Sequence, residues 1–291
     1  MNQTAQIISA APAAAGEPTS IGGLLLEAGK ITPENAERVL RLQKELGIRF
    51  GEAAVRLGLI TEADIQQVLA RQFDYPYLQA GDKAYSPHLV AAYQPFSPQV
   101  ETLRAVRSQL MLRWFARGHK SLAVAAAAQG DGTSLLAANL AVVFSQLGER
   151  TLLVDGNMRA PSQHTVFNLK NRQGLSDVLA GRAGLDVIQK VDAFVDLSVL
   201  TAGTQPPNPQ ELLNRSAFVE LERQLGSAFD IVLYDTAAFA DSFDAAAIAA
   251  RAGGALLVVR QHKTLVGDID TMAEKLKQNG AQVVGSVLVD F

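Results

Sequence analysis

From residue 121 onward the chain alternates short, unbroken apolar runs with longer stretches of helical period. The runs at 122–126, 152–155, 197–200, 231–235, 255–259 and 283–289 have strand length and almost no internal polarity. Helical patterns fill the gaps at 134–147, 209–225, 243–251 and 265–279, the last stopped by Gly280. Strands that are apolar on both sides and separated by helices predict an α/β fold: a doubly wound, mostly parallel sheet with both faces covered. The first 72 residues show no such runs. Two copies of one 24-residue pattern, 20–43 and 49–72, lie there at an offset of 29. Each copy reads as a short helix, a glycine stop (Gly29, Gly58), a threonine N-cap (Thr32, Thr61) and a second, amphipathic helix. Pro33 stands at a first helical position, which suits it. The pattern predicts a small all-α domain built from two helix pairs.

These periods give a domain map. Residues 1–19, rich in Ala, Pro, Ser and Thr without period, read as a disordered leader. The helical repeat occupies 20–78. Residues 79–99, with Pro87, Pro95 and Pro98, read as a linker that packs as an ordered strap. The sheet domain occupies 100–291, and its first element is a helix over 100–115 with Glu101, Arg104 and Arg107 near one face.

Composition narrows the picture. The net charge of −3 argues against a general nucleic-acid binder. The absence of cysteine removes disulfides, thiolate nucleophiles and Cys-based metal sites. The histidines at 88, 119, 164 and 262 lack ligand spacing. No apolar run reaches membrane-spanning length and no signal-peptide pattern opens the chain, so any membrane role is expected to pass through a partner.

Chemistry concentrates at three strand ends. After the first strand comes Gln129-Gly130-Asp131-Gly132-Thr133-Ser134, opening an apolar helix. A strand, a glycine loop and a helix N-terminus hold phosphates through successive backbone N–H groups. Ser134 can ligate Mg²⁺, while Asp155 and Asp235, ending two other strands, can orient the metal shell. A phosphate loop of the Walker type ends Gly-Lys-Ser/Thr, and here Thr133 takes the lysine position. Arg159 is the closest candidate cation read from the sequence. The structural alternative makes the glycines a tight turn and the acids caps.

Several segments carry a resemblance: Glu101-Thr-Leu-Arg-Ala-Val-Arg, Leu152-Leu-Val-Asp-Gly-Asn-Met-Arg, Gly174-Leu-Ser-Asp-Val-Leu-Ala-Gly, Pro206-Pro-Asn-Pro-Gln-Glu-Leu-Leu and Phe229-Asp-Ile-Val-Leu-Tyr-Asp-Thr. In this order they resemble the bacterial tyrosine kinases (BY-kinases) of capsule and exopolysaccharide systems, a branch of the MinD/ParA-like P-loop ATPases. The resemblance implies ATP or ADP with Mg²⁺ at Gly130, Asp131, Gly132, Thr133, Ser134 and Arg159. It makes Ser134, Asp155 and Asp235 the metal residues, with Asp155 and Asp235 catalytic if the protein is active. It gives Glu101, Arg104 and Arg107 to a homo-oligomeric ring interface. It also implies a membrane polysaccharide co-polymerase as partner, control of chain length, and a cytoplasmic place at the inner membrane through that partner. Thr133 in place of lysine, Asn157 in place of an acid, Ala237-Ala238 in place of Pro-Pro and a tail without tyrosines depart from the pattern. They point to a regulatory, pseudokinase-like role; an active autokinase and a MinD/ParA-like positioning or secretion ATPase remain the alternatives. The N-terminal repeat resembles the MshEN-type domain of secretion and pilus ATPases. That implies cyclic di-GMP binding through Gly22, Gln43, Arg49, Phe50, Gly51 and Gln72, with helical docking as the alternative.

Overall fold

A computed structural model describes residues 20–72, 77, 78 and 83–290, and the side chains of residues 67 and 70–72 are outside the description. The expected leader therefore lies outside the described residues, as does the side chain of Gln72. The chain divides into two compact units, 1–75 and 76–291.

The first unit is helical. It contains α1 (Ile21–Glu27), α2 (Pro33–Leu46), α3 (Phe50–Arg56) and α4 (Glu62–Gln72). The Thr32 hydroxyl accepts from the Asn35 N–H at 3.3 Å. Thr61 and Asp64 cap each other reciprocally, N–H to side chain both ways, at 2.9 and 3.2 Å. Leu25, Ile31, Val39, Ala53, Ala54, Ile60, Ile65 and Val68 form one small core, to which both copies of the repeat contribute.

The second unit begins with a strap that includes α5 (Val90–Tyr93), followed by α6 (Pro98–Arg113). The sheet region then runs β1 (Ser121–Ala126), α7 (Thr133–Ser145), β2 (Thr151–Asp155), α8 (Gln163–Val166), α9 (Leu175–Leu179), β3 (Gln189–Val191), β4 (Phe194–Leu200), α10 (Pro209–Leu213), α11 (Ser216–Ala228), β5 (Ile231–Asp235), α12 (Asp244–Ala252), β6 (Gly254–Arg260), α13 (Val266–Gln278) and β7 (Gln282–Val289). Among the described residues these strands form a seven-stranded sheet in the order β3-β4-β2-β5-β1-β6-β7. All pairs are parallel except β3 with β4.

Alternate residues of one strand feed opposite faces, as the pleat requires. Leu122, Val124, Leu153, Ile231, Leu233, Leu256 and Val258 pack with α5, α6 and α7. Ala123, Leu152, Val154, Val232, Tyr234, Ala255 and Leu257 pack with α9 to α13. Helix α7 is buried continuously from Leu136 to Ser145, so it sits as a core element and carries the glycine loop on a rigid base.

Two expectations change. The helix expected over 209–225 is two helices, broken at Asn214 and Arg215, where Arg215 is extended. Leu213 and Phe218 are both buried, and a five-residue gap would put them on different sides of one continuous helix. The hairpin strand β3 was absent from the expected elements; it is three residues long with one buried position, too little pattern to read. The strap is tied to the sheet unit. Asn139 on α7 accepts from the Ala91 N–H at 2.9 Å and donates to His88 O at 3.0 Å. Ser86 N–H donates to Val166 O at 2.9 Å.

Candidate functional site

Parallel pairing of β5 with both β1 and β2 brings the carboxyl ends of the three strands side by side. The glycine loop, the turn after β2 and Asp235 converge there, where open α/β sheets place ligands. Gly130 and Gly132 have φ of +78° and +87°, which side chains oppose. Thr133 opens α7, so the loop ends on unpaired helical N–H groups. A cavity of about 290 Å³ lies against this loop. Gly130, Gly132, Thr133 and Ser134 line one side of it, together with Asn157, Arg159, Ser162, Thr236 and Asp241.

The loop is clamped by the turn between β6 and α13. Lys263 Nζ donates to Gln129 O at 3.1 Å and pairs with the Asp131 carboxylate at 3.1 Å. Arg260 donates to Gly130 O at 2.9 Å. Asp131, almost fully buried, also accepts from the Ala128 N–H and from the Thr264 hydroxyl, both at 3.2 Å. Its side chain braces the loop and does not line the cavity.

Arg159 does line the cavity, but Asp244 holds its guanidinium at 2.7 and 3.3 Å. Two further cations among the described residues, Lys263 and Arg260, touch the loop without lining the cavity; the sequence reading named only Arg159, which does line it. The reason is sheet order: β6 neighbours β1, so the turn after β6 lands beside the loop after β1.

Asp155 and Asp235 are register partners and fully buried. Asp155 accepts from the N–H groups of Gln163 at 2.9 Å, Ser162 at 3.0 Å and Asn157 at 3.3 Å. Asp235 Oδ2 accepts from Gln163 Nε2 at 2.8 Å, and the same amide donates to Ser134 O at 3.1 Å. Burial pushes both carboxyls above the ordinary range; for Asp155 the neighbouring Asp235 adds to it, while hydrogen bonds from the Gln163 amide and the Ser134 side chain pull Asp235 back. Asp235 Oδ1 is buried with no hydrogen-bond partner among the described residues. An orphaned oxygen beside a second carboxylate and a serine is an oxygen-only donor set, which suits Mg²⁺ and its water shell. Ser134, Asp155 and Asp235 therefore fit that ion. Among the described residues no cluster of three or more His, Asp or Glu offers another metal site. Asn157 uses its carbonyl oxygen to accept from the Ala160 N–H at 3.1 Å, bracing its own turn.

The remaining expected residues fall elsewhere. Glu101 is exposed and pairs with Arg104, whereas Arg107 donates to the Val143 carbonyl of α7. In the first unit, a Cβ on Gly22 would stand 3.1 Å from the Phe50 ring, and one on Gly51 would stand 2.8 Å from Ile65 Cδ1. Close helix packing accounts for both glycines. Ser20 caps α1, accepting from the Gly23 N–H at 3.3 Å. Arg49, its counterpart in the second copy, is exposed and makes no such cap, and Gln43 is half-buried. Sequence reading missed Gln163, Lys263 and Arg260; none of them sits in a recognisable motif, and only the sheet order brings them in.

No protein-family model matches the chain. It is similar to the tyrosine-protein kinase YwqD of Bacillus subtilis, 33% identical over 201 residues that cover 69% of this chain and 85% of that relative. It is also similar to the tyrosine-protein kinase wzc of Salmonella typhimurium, 33% identical over 209 residues, 72% of this chain but 29% of that one. The chain thus spans less than a third of the longer relative. Among solved structures, the kinase domain of the Escherichia coli tyrosine kinase ETK superposes with a TM-score of 0.68 at 29% identity, covering 74% of this chain and 84% of that domain. The cell division ATPase MinD of Pyrococcus furiosus superposes with a TM-score of 0.52 at 26% identity, covering 58% and 71%.

Proposed function

Since the chain belongs to the bacterial tyrosine kinases of capsule and exopolysaccharide systems, we propose that it is a regulatory member that binds a magnesium nucleotide and transfers phosphate weakly or not at all. Phosphoryl transfer rests on positive charge placed around the β- and γ-phosphates. The observation that carries the reading is Thr133: it lines the cavity at the lysine position, and the one cation in the cavity lining among the described residues, Arg159, is held by Asp244. Ser134, Asp155 and Asp235 would hold Mg²⁺, which when bound offsets phosphate charge. The loop N–H groups bind the phosphates, and the buried acids orient the ion. In this reading the protein acts through assembly: it controls polysaccharide chain length beside a membrane co-polymerase, at the cytoplasmic face of the inner membrane through that partner, and forms homo-oligomers through α6.

The test uses the native chain with Mg-ATP and a tyrosine substrate. Transfer is expected at background level, while ADP binds. Thr133→Lys is expected to tighten ADP by roughly tenfold, the weight of one added charge-assisted contact (about 1.4 kcal/mol). Robust transfer by the native chain, abolished by Asp155→Ala, would overturn the regulatory reading. An active autokinase is the second reading, favoured by Lys263, whose amine touches the loop at Gln129 O.

A further inference from the structure

Buried side-chain oxygens without a hydrogen-bond partner are rare, because each costs on the order of 1–3 kcal/mol. Among the described residues three of them belong to one small region: Ser162 Oγ, Gln163 Oε1 and Asp235 Oδ1. The last two lie on the two groups joined by a single hydrogen bond, Gln163 Nε2 to Asp235 Oδ2 at 2.8 Å. Ser162 is the adjoining residue and lines the cavity. Gln163 itself is fully buried. Its backbone N–H holds Asp155, and its side chain holds Asp235 and the Ser134 carbonyl. One residue thus touches all three positions that fit the cation, while its own carbonyl oxygen has no partner.

The orientation of the amide is fixed by its partners. Both Asp235 Oδ2 and Ser134 O are acceptors, so the NH₂ must face them and the oxygen must face away. The Gln163 carbonyl and an ionised Asp235 can only accept, and the Ser162 hydroxyl can accept as well as donate, so all three have room for a donor from outside the protein. Water in the shell of a divalent cation donates strongly, because the ion withdraws charge from it.

We propose that Gln163 is a positioning residue of the cation site: its NH₂ aims the Asp235 carboxylate, and its carbonyl, with the Ser162 hydroxyl, accepts hydrogen bonds from the water shell of a divalent cation. This rests on the nucleotide reading above and deepens it. It also bears on Asn157, which brings no negative charge to the site; Gln163 and Ser162 supply neutral acceptors instead. Neutral acceptors hold the shell in place while adding no repulsion to the two buried acids.

The test measures Mn²⁺, a spectroscopic stand-in for Mg²⁺, by electron paramagnetic resonance with and without ADP, and ADP itself by calorimetry in EDTA. The native chain is expected to bind Mn²⁺ at least tenfold tighter with ADP present. Gln163→Leu is expected to weaken Mn²⁺ in the ADP complex at least tenfold while metal-free ADP binding stays within twofold. Gln163→Glu keeps an oxygen at the orphan position and loses the donor to Asp235. It is expected to bind Mn²⁺ at least threefold tighter than Gln163→Leu, because the acceptor is kept, whereas a residue that only aims Asp235 would leave the two variants equal. Thermal melts confirm that each variant is folded; should Gln163→Leu fail to fold, Gln163→Ala takes its place, and Ser162→Ala is expected to weaken Mn²⁺ about threefold. Unchanged Mn²⁺ affinity in the folded Leu or Ala variant, or a Glu variant no tighter than it, overturns the inference alone. A native chain that binds ADP equally with and without metal also overturns it alone. A native chain that binds neither ADP nor Mn²⁺ overturns the nucleotide reading and the inference together.

Discussion

The two halves of the site are built in opposite ways. The loop side, 129–134, faces the cavity with backbone, two left-handed glycines and a neutral threonine. Its charged groups, Asp131, Lys263 and Arg260, all work behind it, fastening it to the turn after β6. The acid side faces inward: Asp155 and Asp235 are fully buried, joined through Gln163, and keep an unsatisfied oxygen. The loop is thus braced through its backbone and Asp131 by Lys263 and Arg260. The acid side has kept unmet demand for a cation. Shape and charge are built by different residues in this site, and the regulatory reading proposed above rests on that division.

The strongest way to break this comparison is to remove the brace. Asp131→Ala strips a buried carboxylate from the Ala128 N–H, the Thr264 hydroxyl and the Lys263 amine. The loss leaves two part-buried donors and a half-exposed ammonium without their acceptor, so a destabilisation of about 2 kcal/mol is expected in urea denaturation. A change below about 1 kcal/mol would mean that the loop is held by its glycines and α7 alone, and the clamp would lose its role.

The acid side gives the next largest effect, through pH. Both carboxyls titrate above the ordinary range because they are buried, so in the metal-free protein the folded state holds more protons than the unfolded chain. The contribution of this pair to stability is then fullest at and below about pH 4, where the unfolded carboxyls are also protonated. It falls as the pH rises through the raised folded values. Half-buried Glu222, raised chiefly by its own desolvation, acts with the same sign. Asp155→Asn removes one member of the pair and is expected to flatten this fall, leaving the variant more stable than native by roughly 1–2 kcal/mol at pH 8 and no more stable at pH 4. Parallel native and variant curves from pH 4 to 8 would show that the pair is not under strain.

What the sequence made legible follows the same division. Strand runs such as Ile231-Val-Leu-Tyr-Asp have one solution as buried parallel strands, and all five residues are buried in β5. The glycines of 130 and 132 announced a turn, and the acids at 155 and 235 came correctly to its side. The parts that stayed hidden are those fixed by neighbours distant in sequence. Lys263 meets Gln129 only because β6 lies next to β1. Gln163 sits in a four-residue helix whose sequence, Gln-His-Thr-Val, has no pattern. Arg159 looked free for the same reason: its partner Asp244 lies 85 residues on. In the first unit the glycines at 22 and 51 suggested a ligand motif, and their packing against Phe50 and Ile65 is a sufficient physical reason for them.

The smallest expected effect separates the two readings of the loop most sharply. Lys263 is the amine nearest to replacing the missing lysine, yet it is half exposed and already engaged with Asp131 and Gln129 O behind the loop. The amine is half exposed but its carboxylate partner is buried, so solvent screens the pair only in part and it contributes about 1–2 kcal/mol. Lys263→Met keeps the stem and removes the charge, so it is expected to cost about 1–2 kcal/mol in stability and to leave ADP affinity within twofold. If the amine instead served the phosphates, the same substitution would weaken ADP about tenfold, and more in low salt, where screening is weakest. That result would move the missing positive charge from the loop to the turn after β6. It would make Thr133 a relocation of the cation in place of a loss, and the autokinase reading would gain the group it lacks.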